Sequence, residues 1–289
     1  MKWTLLYALA TVLIPIGTIG AQDWSGIPLP VAAGHTEEWQ LIPEFSDSFN
    51  YRGKGKRFTK RWRDTYFKGW SGPGLTEWDA GHSAVADGHL IIRASRKEGT
   101  RRVYCGVVTS QAPISYPVFI EASIRVSNQV LSSNLWLLSE DDRRELDILE
   151  IYGGDRPDQR YYATHASNNY HIFVRDSSNR ILENLSDPSH HTLAGEVPYR
   201  RDFHRFGAYW IDPWSIDIYL DGKLVRRLRL EPDDDPDGVG LDRPMYLIID
   251  TEDHAWRSEK GIVATDEELA DDEKNIMLVD WIRTYRPRQ

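Results

Sequence analysis

Ser215 to Leu230 reads SIDIYLDGKLVRRLRL. In its first half Ile216, Ile218 and Leu220 alternate with Asp217, Tyr219 and Asp221, the period-two pattern of a strand with one buried face. Asp221-Gly222 separates this run from a second, KLVRRLRL (223–230). Asp-Gly between two strand-like runs signals a hairpin, because the tight turn that matches sheet twist needs positive φ at both central residues. The same period recurs outward along the chain. RVYCGVVTS (102–110), VFIEASIRV (118–126), ELDILEI (145–151), FHRFGAYWI (203–211), MYLIID (245–250) and MLVDWIRTY (277–285) are rich in β-branched and aromatic residues. Helical signal is confined to TDEELADDEKN (265–275), which reads as a short helix or a charged loop. EPDDDPDG (231–238) reads as a solvated acidic turn; a calcium loop is the alternative, without EF-hand spacing. Many short strands and few helices indicate an all-β chain in a two-sheet sandwich or jelly roll.

The 289 residues suffice for one large core, and no linker or internal repeat divides them. Residues 22–289 therefore read as one domain, with 22–44 as a lead-in wrapped onto the sandwich. Before it, Lys2 and the apolar run Trp3 to Ile19 end in Gly20-Ala21, which reads as a signal peptide over 1–21 and places the mature protein in the periplasm or outside the cell. Pro15 and Gly17 interrupt the run and polar sequence follows, so no membrane span is expected after its removal. The formal net charge of −9 carries no basic footprint for nucleic acid; Arg61–Arg63, Arg101–Arg102 and Arg226–Arg229 are balanced by nearby acids. The single cysteine, Cys105, cannot form an internal disulfide, and its strand-like setting reads as a buried inert thiol.

ELDILE (145–150) breaks the pattern of a buried strand, because Glu145, Asp147 and Glu150 are separated only by Leu146, Ile148 and Leu149. Alternation sends Glu145 and Asp147 to one face and Glu150 to the other. A β-bulge adds one residue and restores the phase, so a bulge here puts all three acids on one wall and turns the apolar three to the core. Glycoside hydrolysis needs two carboxylates; a retaining enzyme uses a nucleophile and an acid/base about 5–5.5 Å apart. Glu145 and Glu150 bracket the set. Asp147 would help fix a neighbour's protonation state, since crowded carboxylates do not all ionise. The spacing by itself equally fits an exposed acidic face or a calcium site. The surroundings shift the balance toward sugar: the chain has 11 Trp and 14 Tyr, with Trp136 in NLWLL (134–138) and Trp70 in the Gly/Pro-broken loop KGWSGPGLTEW (68–78). His165, His171 and His204 could bond sugar hydroxyls or be structural, and their spacing does not match a helical zinc pair.

These residues resemble a known family. E-x-D-x-x-E is similar to the catalytic signature of glycoside hydrolase family 16, and VDWIRTYRP (279–287) to its last core strand. DWSGIPLP (23–30), WQLIPEFSDSFNY (39–51), FTKRWRDTY (58–66), SSNLWLLSEDDRRELDILEIYGG (132–154) and TEDHAWRSEKGI (251–262) resemble the β-agarases of that family, with the β-porphyranases as close relatives. The resemblance implies a concanavalin A-like jelly roll of two antiparallel sheets with an open substrate cleft. It implies endo-hydrolysis of β-1,4 bonds in agarose or a related red-algal galactan, with Glu145 as nucleophile, Asp147 assisting and Glu150 as acid/base. Trp70, Trp136, Arg175, Glu252 and His165 are the expected substrate contacts. No catalytic cofactor is implied. A structural calcium is, with Asp280 and the Gly88 carbonyl as ligands and Asp47 as a further candidate. The chain is expected to act as a monomer.

Overall fold

The computed structural model describes residues 23–32 and 38–288, so the expected signal segment, 1–21, lies outside the described residues. The Ser215–Leu220 and Lys223–Arg229 strands form the expected hairpin, with φ of 50° at Asp221 and 76° at Gly222. They begin one antiparallel sheet, which continues through His204–Asp212, Val118–Arg125, Met277–Pro287, His89–Ile92 and Ser83–Ala86. The second sheet runs Ile181–Ser186, Ala166–Arg175, Arg144–Ile151, Ser132–Ser139, Met245–Glu252, Val107–Ser110 and Trp62–Arg63. Ile216 and Ile218 from the first sheet share one core cluster with Leu135, Leu137, Leu146 and Ile249 from the second. Each such buried aliphatic side chain contributes roughly 1.5–3 kcal/mol. The result is the two-sheet jelly roll read from the sequence.

The outer face of the first sheet is covered by the lead-in. Arg283 is fully buried there, pairs with Glu121, and donates to the carbonyls of Ile27 (2.7 Å) and Pro28 (3.0 Å). Val31 packs with Phe119, Tyr209 and Tyr219 on the same face.

Three readings change. RVYCGVVTS is two strands: Val103–Cys105 belongs to a small third sheet and Val107–Ser110 to the second large one. Gly106 makes the transfer, passing so close to His82 that a Cβ would lie 2.2 Å from its carbonyl oxygen. TDEELADDEKN forms two short helices, Asp266–Ala270 and Asp272–Asn275, the first opened by a Thr265/Glu268 capping box. EPDDDPDG is not simply a solvated turn. Asp235 is buried against Arg144, whose guanidinium also reaches Asp237 (2.9 Å) and the Gly240 carbonyl (2.8 Å). A buried arginine needs such partners, and this loop supplies them.

Candidate active site

The Arg144–Ile151 strand is the middle of the site. Asn134 faces Glu150 and Leu135 faces Leu149, but Trp136 faces Asp147, so Ile148 has no opposite residue. On the other side Asp147 pairs with Asn169 and Glu150 with Ser167, three steps against two. Ile148 is therefore the extra residue of a bulge. It turns Glu150 to the face of Glu145 and Asp147, while Leu146, Ile148 and Leu149 enter the core.

His171, on the neighbouring Ala166–Arg175 strand, sits opposite Glu145. Its Nε2 lies 3.8 Å from Glu145 Oε1 and 3.4 Å from Asp147 Oδ2. Burial and then the charge of Asp147 push the Glu145 carboxyl well above its usual range, and His171 works against both. Burial also raises Asp147, opposed by the hydrogen bond and charge of His171. Burial disfavours the imidazolium, yet the Asp147 hydrogen bond and the two carboxylate charges hold the His171 pKa at about 10. Asn169 Nδ2 points at Nε2 from 3.0 Å and opposes that charge. The acids outweigh this single amide dipole, and Asn184 accepts from Nδ1 at 2.8 Å. Tyr152 OH donates to Glu150 Oε1.

The walls are aromatic. A cavity of about 410 Å³ at the Glu145 end is lined by Tyr66, Trp70, Trp136 and Phe173 together with Lys68 and Arg175. It adjoins one of about 430 Å³ that holds Glu145, Asp147, Glu150, Glu252, His254 and Trp256. Trp70 lines both and is 45% exposed, as a sugar platform requires. Trp136 also lines both, and its indole N–H donates to Asp250 at 2.8 Å. Arg175 donates to the carbonyls of Asp142 and Asn179, both at 2.9 Å. Glu252 accepts from Asn134 at 3.0 Å and faces His254 Nε2 at 3.2 Å; its other oxygen, Oε2, is buried without a hydrogen-bond partner. Burial disfavours charge on His254, but the Glu252 hydrogen bond and charge carry its pKa to about 9. Burial and Glu252 push Asp250 well above its usual range.

With this geometry in place, comparison with known proteins is informative. Residues 39–287 match the family model described as "Beta-porphyranase A-D, GH16 domain". The chain belongs to glycoside hydrolase family 16. Among its family 16 relatives, the β-agarase AgaB34 of Agarivorans albus is 48% identical over 278 residues, covering 92% of this chain and 61% of that protein. The chain thus spans about three-fifths of that relative. The extracellular agarase of Streptomyces coelicolor is 42% identical, covering 91% of this chain and 89% of its own. The structure of β-agarase A from Zobellia galactanivorans superposes with a TM-score of 0.84 at 36% identity, covering 93% of this chain and 99% of that one; the same protein is also known in complex with oligoagarose.

Other expected family 16 positions fall elsewhere. His165 lines neither cavity: its ring stacks on Tyr161 at 3.9 Å, and Nδ1 is bonded to Thr164 and the Tyr161 carbonyl. Asp280 lies on the first sheet, where it is itself the extra residue of a bulge between Val279 and Trp281. Burial and then the Asp23 charge raise its carboxyl above the ordinary value. Asn50 donates to Asp23 at 2.7 Å, and its Oδ1 lies 3.2 Å from where a Cβ of Gly88 would be. Asp47 does not join this group. Its buried carboxylate accepts from Phe49 N (3.1 Å), Tyr51 OH (2.8 Å) and Trp62 Nε1 (3.1 Å), so core donors take the oxygens a cation would need. Sequence reasoning missed Tyr152, Asp250 and His254: Tyr152 and Asp250 belong to runs that otherwise read as core, and His254 follows Glu252 in TEDHAW with no spacing that marks it.

Proposed function

We propose that this chain is a secreted, retaining endo-hydrolase of β-1,4-galactosidic bonds in agarose. The observation that carries the reading is the bulge at Ile148, which puts Glu145, Asp147 and Glu150 on one wall of an aromatic cleft. Glu145 attacks the anomeric carbon as the carboxylate. Glu150 gives its proton to the departing glycosidic oxygen, and a glycosyl ester forms on Glu145. Glu150 then takes a proton from water, which attacks the same carbon and releases the sugar with its β configuration retained. Asp147 holds the proton that the Glu145/Asp147 pair cannot both lose, and His171 supplies the positive charge that favours Glu145 as the anion. Trp70 and Trp136 support sugar rings, and Arg175 and Glu252 bond hydroxyls. His165 has no part in this reading.

A sulfated galactan such as porphyran is the second reading, because Arg175 lines the cleft with no carboxylate partner among the described residues. Agarose is preferred: Lys68 is neutralised by Asp142 at 3.1 Å, the rest of that cavity is largely aromatic and aliphatic, and the relatives above are agarases. Both catalytic glutamates come from one chain, so this pair needs no partner subunit. The N-terminal apolar run and the extracellular Streptomyces relative support export; no helix among the described residues is long and apolar enough to cross a membrane. Asp280, with the Asp23 charge acting on it and Asn50 bonded to Asp23, would supply oxygen ligands to a structural calcium, and the Gly88 carbonyl would be its backbone ligand.

The test is reducing-end release from agarose, porphyran, κ-carrageenan and laminarin in parallel, by wild type and Glu145→Gln. Agarose is hydrolysed fastest, the first products are β-anomers by proton NMR, and Glu145→Gln binds agaro-oligosaccharides without cleaving them. First-formed α-anomers, or an active Glu145→Gln, would overturn the reading.

A further inference from the structure

Glu150 has two carboxyl oxygens, and the structure distinguishes them. Oε1 accepts the Tyr152 hydroxyl. Tyr152 follows Glu150 by two residues and so shares its face of the strand. The backbone behind it is fixed: Gly153 passes so near Ser127 that a Cβ would lie 2.0 Å from the Ser127 carbonyl oxygen. The ring is 5% exposed and gripped from several sides. The Arg257 guanidinium lies 4.0 Å from its centroid, and the rings of Tyr162 and Trp256 meet it edge-on at 5.8 and 5.9 Å.

Arg257 is an unusual support. It is 1% exposed, donates to Gln159 at 2.7 Å through one nitrogen, and has no hydrogen-bond partner for Nε or Nη1. Its charge instead rests on the faces of Tyr152, Tyr162 and Trp256. A buried cation stacked on a phenol polarises its O–H and strengthens it as a donor. Burial and the charge of Glu150 also push the Tyr152 phenol well above its usual range, so it keeps its proton and only donates.

Taking Glu150 as the acid/base, we propose that Tyr152 is a positioning residue that occupies Oε1 and so keeps the transferable proton of Glu150 on Oε2, the oxygen left for the cleft. A hydroxyl that donates to Oε1 favours Oε1 as the carbonyl oxygen of the protonated carboxyl, the better acceptor of the two, and so favours the proton on Oε2. In the first half-reaction the proton leaves Oε2 for the glycosidic oxygen and Glu150 becomes a carboxylate. In the second, Oε2 takes a proton from water. Tyr152 keeps its own proton throughout, and Arg257 holds the ring that aims it.

The test is kcat/KM of Tyr152→Phe on two substrates: an agaro-oligosaccharide, whose leaving oxygen must be protonated, and its dinitrophenyl β-glycoside, whose leaving group departs unprotonated. Glu150→Gln is the reference, and melting temperatures check the fold. Loss of one hydrogen bond to a charged group predicts a fall of about tenfold to a hundredfold on the oligosaccharide. The dinitrophenyl glycoside changes by less than about threefold, since general-acid help is then idle. Equal loss on both substrates means a structural tyrosine and overturns the proposal, as does no loss on either. Equal loss on both in Glu150→Gln would instead refute the acid/base assignment on which it rests.

Discussion

Arg144→Met removes a buried charge one residue before Glu145 and leaves Asp235 behind. Both side chains are fully buried and 3.2 Å apart. Breaking such a pair by removing one partner costs about 3–5 kcal/mol, mostly because the remaining charge has lost its counter-ion. Asp235 keeps three backbone donors, from Asp237 (3.0 Å), Val239 (3.1 Å) and Gly240 (2.8 Å), which places the cost near the lower end, about 3 kcal/mol. The Asp237 contact adds little, since that carboxylate is 57% exposed. At about 2–4 °C per kcal/mol for a domain of this size, the melting temperature falls by roughly 6–12 °C. Arg144→Met with Asp235→Asn recovers part of the loss, because the stranded charge goes while the amide oxygen still accepts the two donors of Oδ2 and only the Asp237 N–H loses its acceptor. Calorimetry on wild type, both single variants and the double variant closes the cycle. A melting point within about 2 °C of wild type for Arg144→Met, on the same scaling, or a double variant no better than the single, would show that the pair does not anchor the loop to the catalytic strand.

Two further outcomes follow from the charges already described. His171→Gln removes the cation that lowers Glu145, so the acidic limb of the kcat/KM profile moves to higher pH; an unmoved limb, or one moved lower, counts against His171 as the counter-charge. The pKa of His171, raised from 6.5 to about 10, also makes its share of stability complete below the lower value and lost as pH climbs through the upper, readable as a smaller alkaline loss of stability in His171→Gln. Chelation of calcium lowers the melting temperature of wild type but not of Asp280→Ala; equal behaviour of the two proteins would remove Asp280 from the site.

Five strands of the first sheet were plain in the sequence because they are rich in β-branched and aromatic residues and one hairpin carries Asp-Gly at its tip; the short edge strands Ser83–Ala86 and His89–Ile92 were not read. The cleft sheet was less so. Ala166–Arg175 begins with Ser167, Asn168 and Asn169, types that strands disfavour, and was not read as a strand. Asn169 lines the site and Ser167 faces Glu150, while Asn168 turns inward and accepts from Arg226 of the other sheet at 2.9 Å, so the local pattern follows specific polar contacts instead of simple burial. The acids of ELDILE were legible because their misfit in phase demanded a bulge. Asp250 was not, since MYLIID ends on it as any strand ends on a polar residue, and its bonds to Trp136 and Asn134 cross from another strand. The Arg144–Asp235 pair was hidden for the same reason: 91 positions separate the partners, and each half alone looks like surface.

The bulge at Ile148 makes counting matter more than identity in this strand. Any apolar residue that fits the core could stand at 148, and Glu150 would still face its partners. Loss of that one residue would remove the bulge together with the odd step, leaving Glu145, Asp147 and Glu150 at strict two-residue spacing on the cleft face, whereas flattening the bulge with every residue kept would carry Glu150 into the hydrophobic interior. The facing of the three acids thus tolerates substitution at 148 and even its loss, but not a flat strand that keeps all six residues. A Trp at 136, whose indole is fixed by Asp250 across the sheet, registers the count, because it must face Asp147 and no other residue.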